Sequence, residues 1–120
     1  MVINQGDIFW VDIEIPTRSG PGYRRPVLVI QNNTFNSSRI NTVITCLLTS
    51  NIQRANSPGN ILLGESEANL PKRSTINVAQ IFTVDKRELA EKIGSLSRDR
   101  MEQVLEGIEL TLKPRDVHGL

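Results

Sequence analysis

Pro26-Val27-Leu28-Val29-Ile30 is apolar at every position and rich in β-branched residues, with Arg25 on one side and Gln31-Asn32 on the other. A strand with one wet face alternates apolar and polar residues. An unbroken apolar run predicts a strand buried on both faces, and so places Pro26–Ile30 in the middle of the fold. Working upstream, Ile8 to Ile13 (Ile-Phe-Trp-Val-Asp-Ile) is β-branched and aromatic, opened by Gly6-Asp7 and closed by Pro16, which predicts another strand. Between the two, Thr17 to Arg24 contains Ser19-Gly20-Pro21-Gly22 and reads as a loop. Downstream, Asn32-Asn33-Thr34 and Asn36-Ser37-Ser38 punctuate a connection to a third strand, Thr42 to Leu48. Ser57-Pro58-Gly59 predicts a type II turn with Pro and Gly at its central positions. Ile61-Leu62-Leu63 follows as a short strand, and Thr75 to Val84 supplies one or two more.

The last third changes period. Ser97 is placed to cap a helix, with Asp99 in the first turn where a negative charge suits the helix dipole. Met101, Val104, Leu105, Ile108 and Leu112 recur on one stripe, and Lys113-Pro114 ends the helix. Gly107 inside it costs roughly 1 kcal/mol against alanine, which points to close packing at that position. The expected fold is mainly β with a C-terminal α-helix: a small β-barrel with one helix laid against it. One domain over residues 1–114 and a short tail over 115–120 account for the whole length.

Net charge is +1, from 14 Lys and Arg against 13 Asp and Glu, so bulk charge announces no partner. Its distribution does more. Between Ile15 and Gly64 stand Arg18, Arg24, Arg25, Arg39 and Arg54, with no lysine and no acid. Such a run predicts a local basic surface, unless the fold scatters the arginines over several faces. The single Cys46 rules out an intramolecular disulfide and fits a reducing compartment. No basic, apolar leader opens the chain, and no stretch nears the roughly 18 apolar residues of a membrane span, so a cytoplasmic location is expected. His118, the sole histidine, falls in the tail, which excludes a histidine-pair mechanism and a His-rich metal site. Zinc spacings, phosphate loops and nucleotide fingerprints are absent.

Register gives a sharper expectation. If Pro26–Gln31 and Thr42–Leu48 pair as an antiparallel hairpin about Ser37, partner numbers sum to 74, so Pro26 faces Leu48 and Arg25 faces Thr49. Directly paired side chains lie about 5 Å apart at Cβ. A guanidinium, with five donors in a planar fork, then meets a hydroxyl where two loops leave the scaffold. That pair suits a phosphate. The guanidinium grips harder as charge builds on a pentavalent phosphorane, and the hydroxyl can hold a phosphate oxygen or an attacking 2′-hydroxyl. RNA carries its own nucleophile, so positioning, charge stabilisation and proton transfer suffice, without a metal or cofactor. Taken alone, the register is equally met by an Arg25 that merely bonds a carbonyl and a Thr49 that is only a β-former.

Taken together, Gly6-Asp7-Ile8-Phe9-Trp10-Val11-Asp12, then Arg25-Pro26-Val27-Leu28-Val29-Ile30-Gln31-Asn32, then Leu48-Thr49-Ser50, Leu70-Pro71-Lys72-Arg73-Ser74, Gln80-Ile81-Phe82-Thr83-Val84-Asp85-Lys86 and Ile93-Gly94-Ser95-Leu96 resemble the MazF/PemK-type toxins, in order and over nearly the whole chain. The resemblance implies an SH3-like barrel of the CcdB/PemK kind, a homodimer, and metal-independent, sequence-specific cleavage of single-stranded RNA with a 2′,3′-cyclic phosphate product. It implies neutralisation by a small acidic antitoxin of the MazE type. The family's catalytic arginine matches Arg25 and its threonine Thr49, with an RNA-binding surface expected over Ser19, Gly22, Tyr23, Arg24, Ser50, Asn77 and Gln80. One departure stands out. Where many members carry Gly-Ser-Glu-Gln, this chain reads Arg18-Ser19-Gly20-Pro21-Gly22-Tyr23-Arg24. Without a glutamate there, the group that takes the 2′-hydroxyl proton is open; Tyr23 and Arg24 remain to read bases by stacking and hydrogen bonding. The competing reading is a CcdB-like gyrase poison acting through the terminal helix, which would need no Arg25–Thr49 pair.

Overall fold

In the computed structural model, residues 1–13 and 23–114 are described, together with the side chains of all of these except Ile13 and Tyr23. Six strands form one antiparallel sheet: β1 Asp7–Ile13, β2 Tyr23–Val29, β3 Thr42–Thr49, β4 Ile61–Leu62, β5 Thr75–Asp85 and β6 Leu89–Ser95. Their order is β4-β5-β3-β2-β1-β6, so β2 and β3 are central and the curled sheet stays open between β4 and β6. A short helix α1, Asn33–Asn36, lies between β2 and β3, and helix α2, Arg98–Leu112, follows β6. Among the described residues no helix is long and apolar enough to cross a membrane.

The apolar run of β2 behaves as its composition requires. Leu28 packs in one core cluster, with Ile8, Cys46, Leu48, Ile76, Met101 and Val104. Val27 and Val29 point the other way into a second, with Phe9, Val11, Val43 and Leu47. All three are fully buried. Cys46 is a core residue too, and burial pushes its thiol up to about 12. The β2–β3 ladder joins Val27 to Leu47, Leu28 to Cys46 and Val29 to Thr45, the register expected from a loop centred on Ser37.

That loop holds more order than its Asn and Ser content suggests. Asn32 caps α1 by accepting from Thr34 N–H at 2.8 Å, and Asn36 is buried, donating to the Gln31 carbonyl at 2.8 Å. Strand β6 also went unforeseen. Its Leu89-Ala90-Glu91-Lys92-Ile93 carries too many charges to announce a strand, but Leu89 and Ile93 are buried. Thr75 to Asp85 is one strand with an irregularity. Cys46 faces Ile81 whereas Leu47 faces Asn77, so Val78, Ala79 and Gln80 bulge from the ladder.

Ser57–Asn60 closes as a turn with Gly59 at φ +82 and a 3.2 Å bond from Asn60 N to Ser57 O, the type II pattern. Gly59 lies against Gly107 of α2, where any Cβ would collide with the Gly59 carbonyl. The glycine thus lets helix and turn touch backbone to backbone. Ser97 accepts from Arg100 N–H at 3.2 Å and caps α2 as expected. The helix stripe needs correction, however. Met101, Val104 and Gly107 form its buried face, while Leu105 and Leu112 are exposed. Close contact at Gly107 rolls the helix toward that residue and turns Leu105 outward.

Candidate functional site

Arg25 and Thr49 meet. Continuing the β2–β3 register two residues past its last paired position, Val27 with Leu47, sets them side by side at the ends of two central strands. Arg25 Nη2 reaches the Leu48 carbonyl at 3.4 Å, a long bond that orients the guanidinium without holding it tightly. The carbonyl-bonding role open at the level of sequence is therefore present, on a residue that also lines a pocket. Thr49 Oγ1 accepts from Asn51 N–H at 3.2 Å. A hydroxyl oxygen so engaged keeps its own proton to donate.

Both residues line a pocket of about 400 Å³, with Trp10, Arg24, Ser50, Lys72 and Ser74 among its other walls. Three cations face this space, and among the described residues its lining includes no carboxylate and no imidazole. Arg24 lies over the Trp10 ring at 5.5 Å from the centroid, a cation–π distance, and its Nε is 3.8 Å from the exposed Asp12 carboxylate. Strand pairing explains the grouping: Trp10 faces Pro26, and Val11 faces Arg25, across the β1–β2 ladder. Thr75 pairs with Thr49 on the other flank. Its Oγ1 is the one buried side-chain polar atom among the described residues that finds no partner.

The remaining expected site residues divide. Ser50 and Arg24 line the pocket. Ser19 and Gly22 lie outside the described residues, as does the side chain of Tyr23. Asn77 and Gln80 line a separate hollow of about 270 Å³ with Arg54, Ser57 and Asn60. There the amides bond to one another: Asn77 Nδ2 donates to Gln80 Oε1 at 2.8 Å, Ala79 N–H to Asn77 Oδ1 at 3.3 Å, and Val78 N–H to Asn60 Oδ1 at 3.0 Å. The arginine run is accordingly split. Arg24 and Arg25 share one pocket, Arg54 borders another, and Arg39 lines neither.

Sequence reading assigned no role to Trp10, Asn51, Lys72 or Ser74. For Trp10, Lys72 and Ser74 the signal was present only as position in matched stretches, and Asn51 lay just beyond one; the pocket exists because the loop after residue 69 folds back over the ends of β2 and β3.

The chain belongs to the PemK-like, MazF-like toxins of type II toxin–antitoxin systems, a family that matches residues 4–112. Among its relatives is the endoribonuclease MazF2 of Mycobacterium bovis, 40% identical over 93% of this chain and 98% of that protein. Endoribonuclease EndoA of Bacillus subtilis is 33% identical over 93% and 96%. Among solved structures, a MazE–MazF crystal structure from Deinococcus radiodurans superposes at a TM-score of 0.77, with 19% identity, 93% of this chain and 96% of that one covered. A mycobacterial endoribonuclease in complex with its cognate antitoxin gives 0.69, with 21% identity, 92% and 93% covered. These two likenesses concern the fold.

Proposed function

We propose that this chain is the toxin of a toxin–antitoxin pair and an endoribonuclease that cleaves single-stranded RNA through the RNA's own 2′-hydroxyl. The observation that carries the reading is the single pocket in which Arg25, Thr49 and two further cations face the same space. Bound there, a scissile phosphate meets the Arg25 guanidinium, whose attraction grows as the phosphorane gathers charge. The Thr49 hydroxyl, its oxygen held by Asn51 N–H, donates to a phosphate oxygen or aligns the 2′-hydroxyl. Trp10 with Arg24 offers a stacking face for a neighbouring base, and Ser50, Asn77 and Gln80 extend the contact along the connection from Thr49 to the second hollow.

No divalent ion enters this scheme, because cations and hydroxyls line the pocket where hard metal ions require carboxylates. Purified protein incubated with a long RNA in EDTA should cut it and leave 2′,3′-cyclic phosphate ends. Activity lost in EDTA and regained with Mg²⁺ would refute the scheme.

The partners follow from two surfaces. An acidic antitoxin segment, related in role to the MazE chains of the Deinococcus complexes, would lie across the cationic pocket and exclude RNA from it. The other surface is apolar. Phe35, Ile40, Ile44 and Leu105 are exposed by 40% or more and border a groove of about 510 Å³. We assign this face to a second copy of the chain, which buries the residues that helix α2 turns outward. Sedimentation at micromolar concentration should give a dimer, and Ile44→Glu should give a monomer.

A further inference from the structure

Cleavage by the 2′-hydroxyl leaves one task unassigned: the departing 5′-oxygen must gain a proton. Of the described side chains lining the Arg25–Thr49 pocket, the guanidiniums of Arg24 and Arg25 do not give up protons in proteins. Hydroxyls, amide and indole are poor acids. Lys72 is different. An ammonium carries three donor hydrogens and, unlike a guanidinium, can release one and regain it from water.

The fold holds this lysine where the task falls. Sheet order sets β3 between β2 and β5, so Thr49 lies between Arg25 on one side and the loop leading into β5 on the other. Adjacent strands are about 4.8 Å apart, so the two flanks are separated by roughly 10 Å, the span of a phosphate and two side chains. The loop is fixed along its length. Leu70 is buried, Arg73 Nε donates to the Leu63 carbonyl at 3.3 Å, Ser74 Oγ donates to the Lys72 carbonyl at 2.8 Å, and Leu63 N–H donates to the Ser74 carbonyl at 2.9 Å. Only the exposed Lys72 side chain remains to swing, on a stem whose backbone does not. In-line displacement needs attacking and leaving oxygens on opposite sides of phosphorus, which matches a hydroxyl side at Thr49 and an ammonium side at Lys72.

We infer that Lys72 is the general acid that protonates the 5′-oxygen, a step that rests on the transesterification reading above. The bond from the 2′-oxygen to phosphorus forms as the bond from phosphorus to the 5′-oxygen breaks. One Lys72 Nζ proton passes to the 5′-oxygen, giving a 5′-hydroxyl end. The 2′-hydroxyl proton passes to solvent water, and the neutral amine takes a proton back from solvent, so no net proton is consumed.

The test uses a short RNA spanning a mapped cleavage site, made with the ordinary 5′-oxygen or with a bridging 5′-sulfur, which leaves as a thiolate and needs no proton. Lys72→Ala should lower kcat on the oxygen substrate by about 10²-fold and cut the sulfur substrate within a few-fold of wild type. Lys72→Arg keeps charge and reach but replaces the ammonium by a guanidinium that does not give up a proton. It should bind RNA as wild type does and share the oxygen-substrate defect. Arg25→Ala should be slow on both. Equal losses on the two substrates, or full activity of Lys72→Arg on the oxygen substrate, would overturn the assignment. If wild-type protein instead made linear 3′-phosphate ends directly, the transesterification reading would fall, and the Lys72 role with it.

Discussion

Two hollows on the same sheet differ in what their polar atoms do. Around Asn77 and Gln80 the amides satisfy one another and the backbone of the bulge, and so hold Val78–Gln80 out of the ladder. Around Arg25 and Thr49 the cations gather without a carboxylate among the described lining residues, and the Thr49 hydroxyl is fixed through its acceptor oxygen. A polar cavity whose groups bond to each other lowers the energy of the fold. One that gathers like charges around a hollow does so at a cost in mutual repulsion, and suits an anion that arrives.

Substitution separates the two. Arg25→Ala should reduce cleavage by on the order of 10²–10³, with RNA binding falling only a few-fold, since one phosphate contact among several sets little of the affinity. Parallel losses in kcat and affinity would move Arg25 to ground-state binding. Asn77→Ala removes two side-chain hydrogen bonds from a residue only 8% exposed. We expect about 2 kcal/mol lost in denaturant unfolding with activity of the folded protein within a few-fold. Cleavage abolished at unchanged stability would make the second hollow part of the chemistry.

Thr49→Val keeps the shape and deletes the hydroxyl, and should slow cleavage about tenfold, the worth of one hydrogen bond of roughly 1.4 kcal/mol. Its neighbour across the ladder behaves oppositely. Thr75→Val removes a buried oxygen with no partner and should raise stability by about 1 kcal/mol with the rate unchanged. A slowed Thr75→Val would place that hydroxyl in the site.

The smallest effect lies away from both hollows. The Arg100 guanidinium hydrogen-bonds the Glu67 carboxylate at 2.8 and 3.1 Å and lowers its pKa from the ordinary 4.5. A carboxyl lowered in the folded state contributes stability that is complete above the ordinary value and lost as pH falls through the folded one. Unfolding followed from pH 7 to pH 3 should therefore lose up to about 1 kcal/mol more in wild type than in Glu67→Gln, screening by solvent keeping the figure low.

Local chemistry made much of the fold legible. The two-sided apolar run of β2, the Pro58-Gly59 turn, the Ser97 cap and the β2–β3 register follow from residue type and spacing, because each depends on neighbours near in sequence or on one symmetric loop. Through that register, Arg25 and Thr49 were legible as a pair. Other features had no local cause. Strand β6 forms because Leu89 and Ile93 find a core beside β1, not because Glu91 and Lys92 favour a strand. The arginines look continuous in sequence, yet the four among the described residues, Arg24, Arg25, Arg39 and Arg54, part company in space, since successive strand ends and loops face different ways. Lys72 enters the pocket only because a loop some twenty residues downstream folds back beside Thr49. Helix α2 shows the division most simply. Its period and N-cap are written in the sequence, yet which face it buries goes with a contact between Gly59 and Gly107, and that contact exists only once turn and helix have packed.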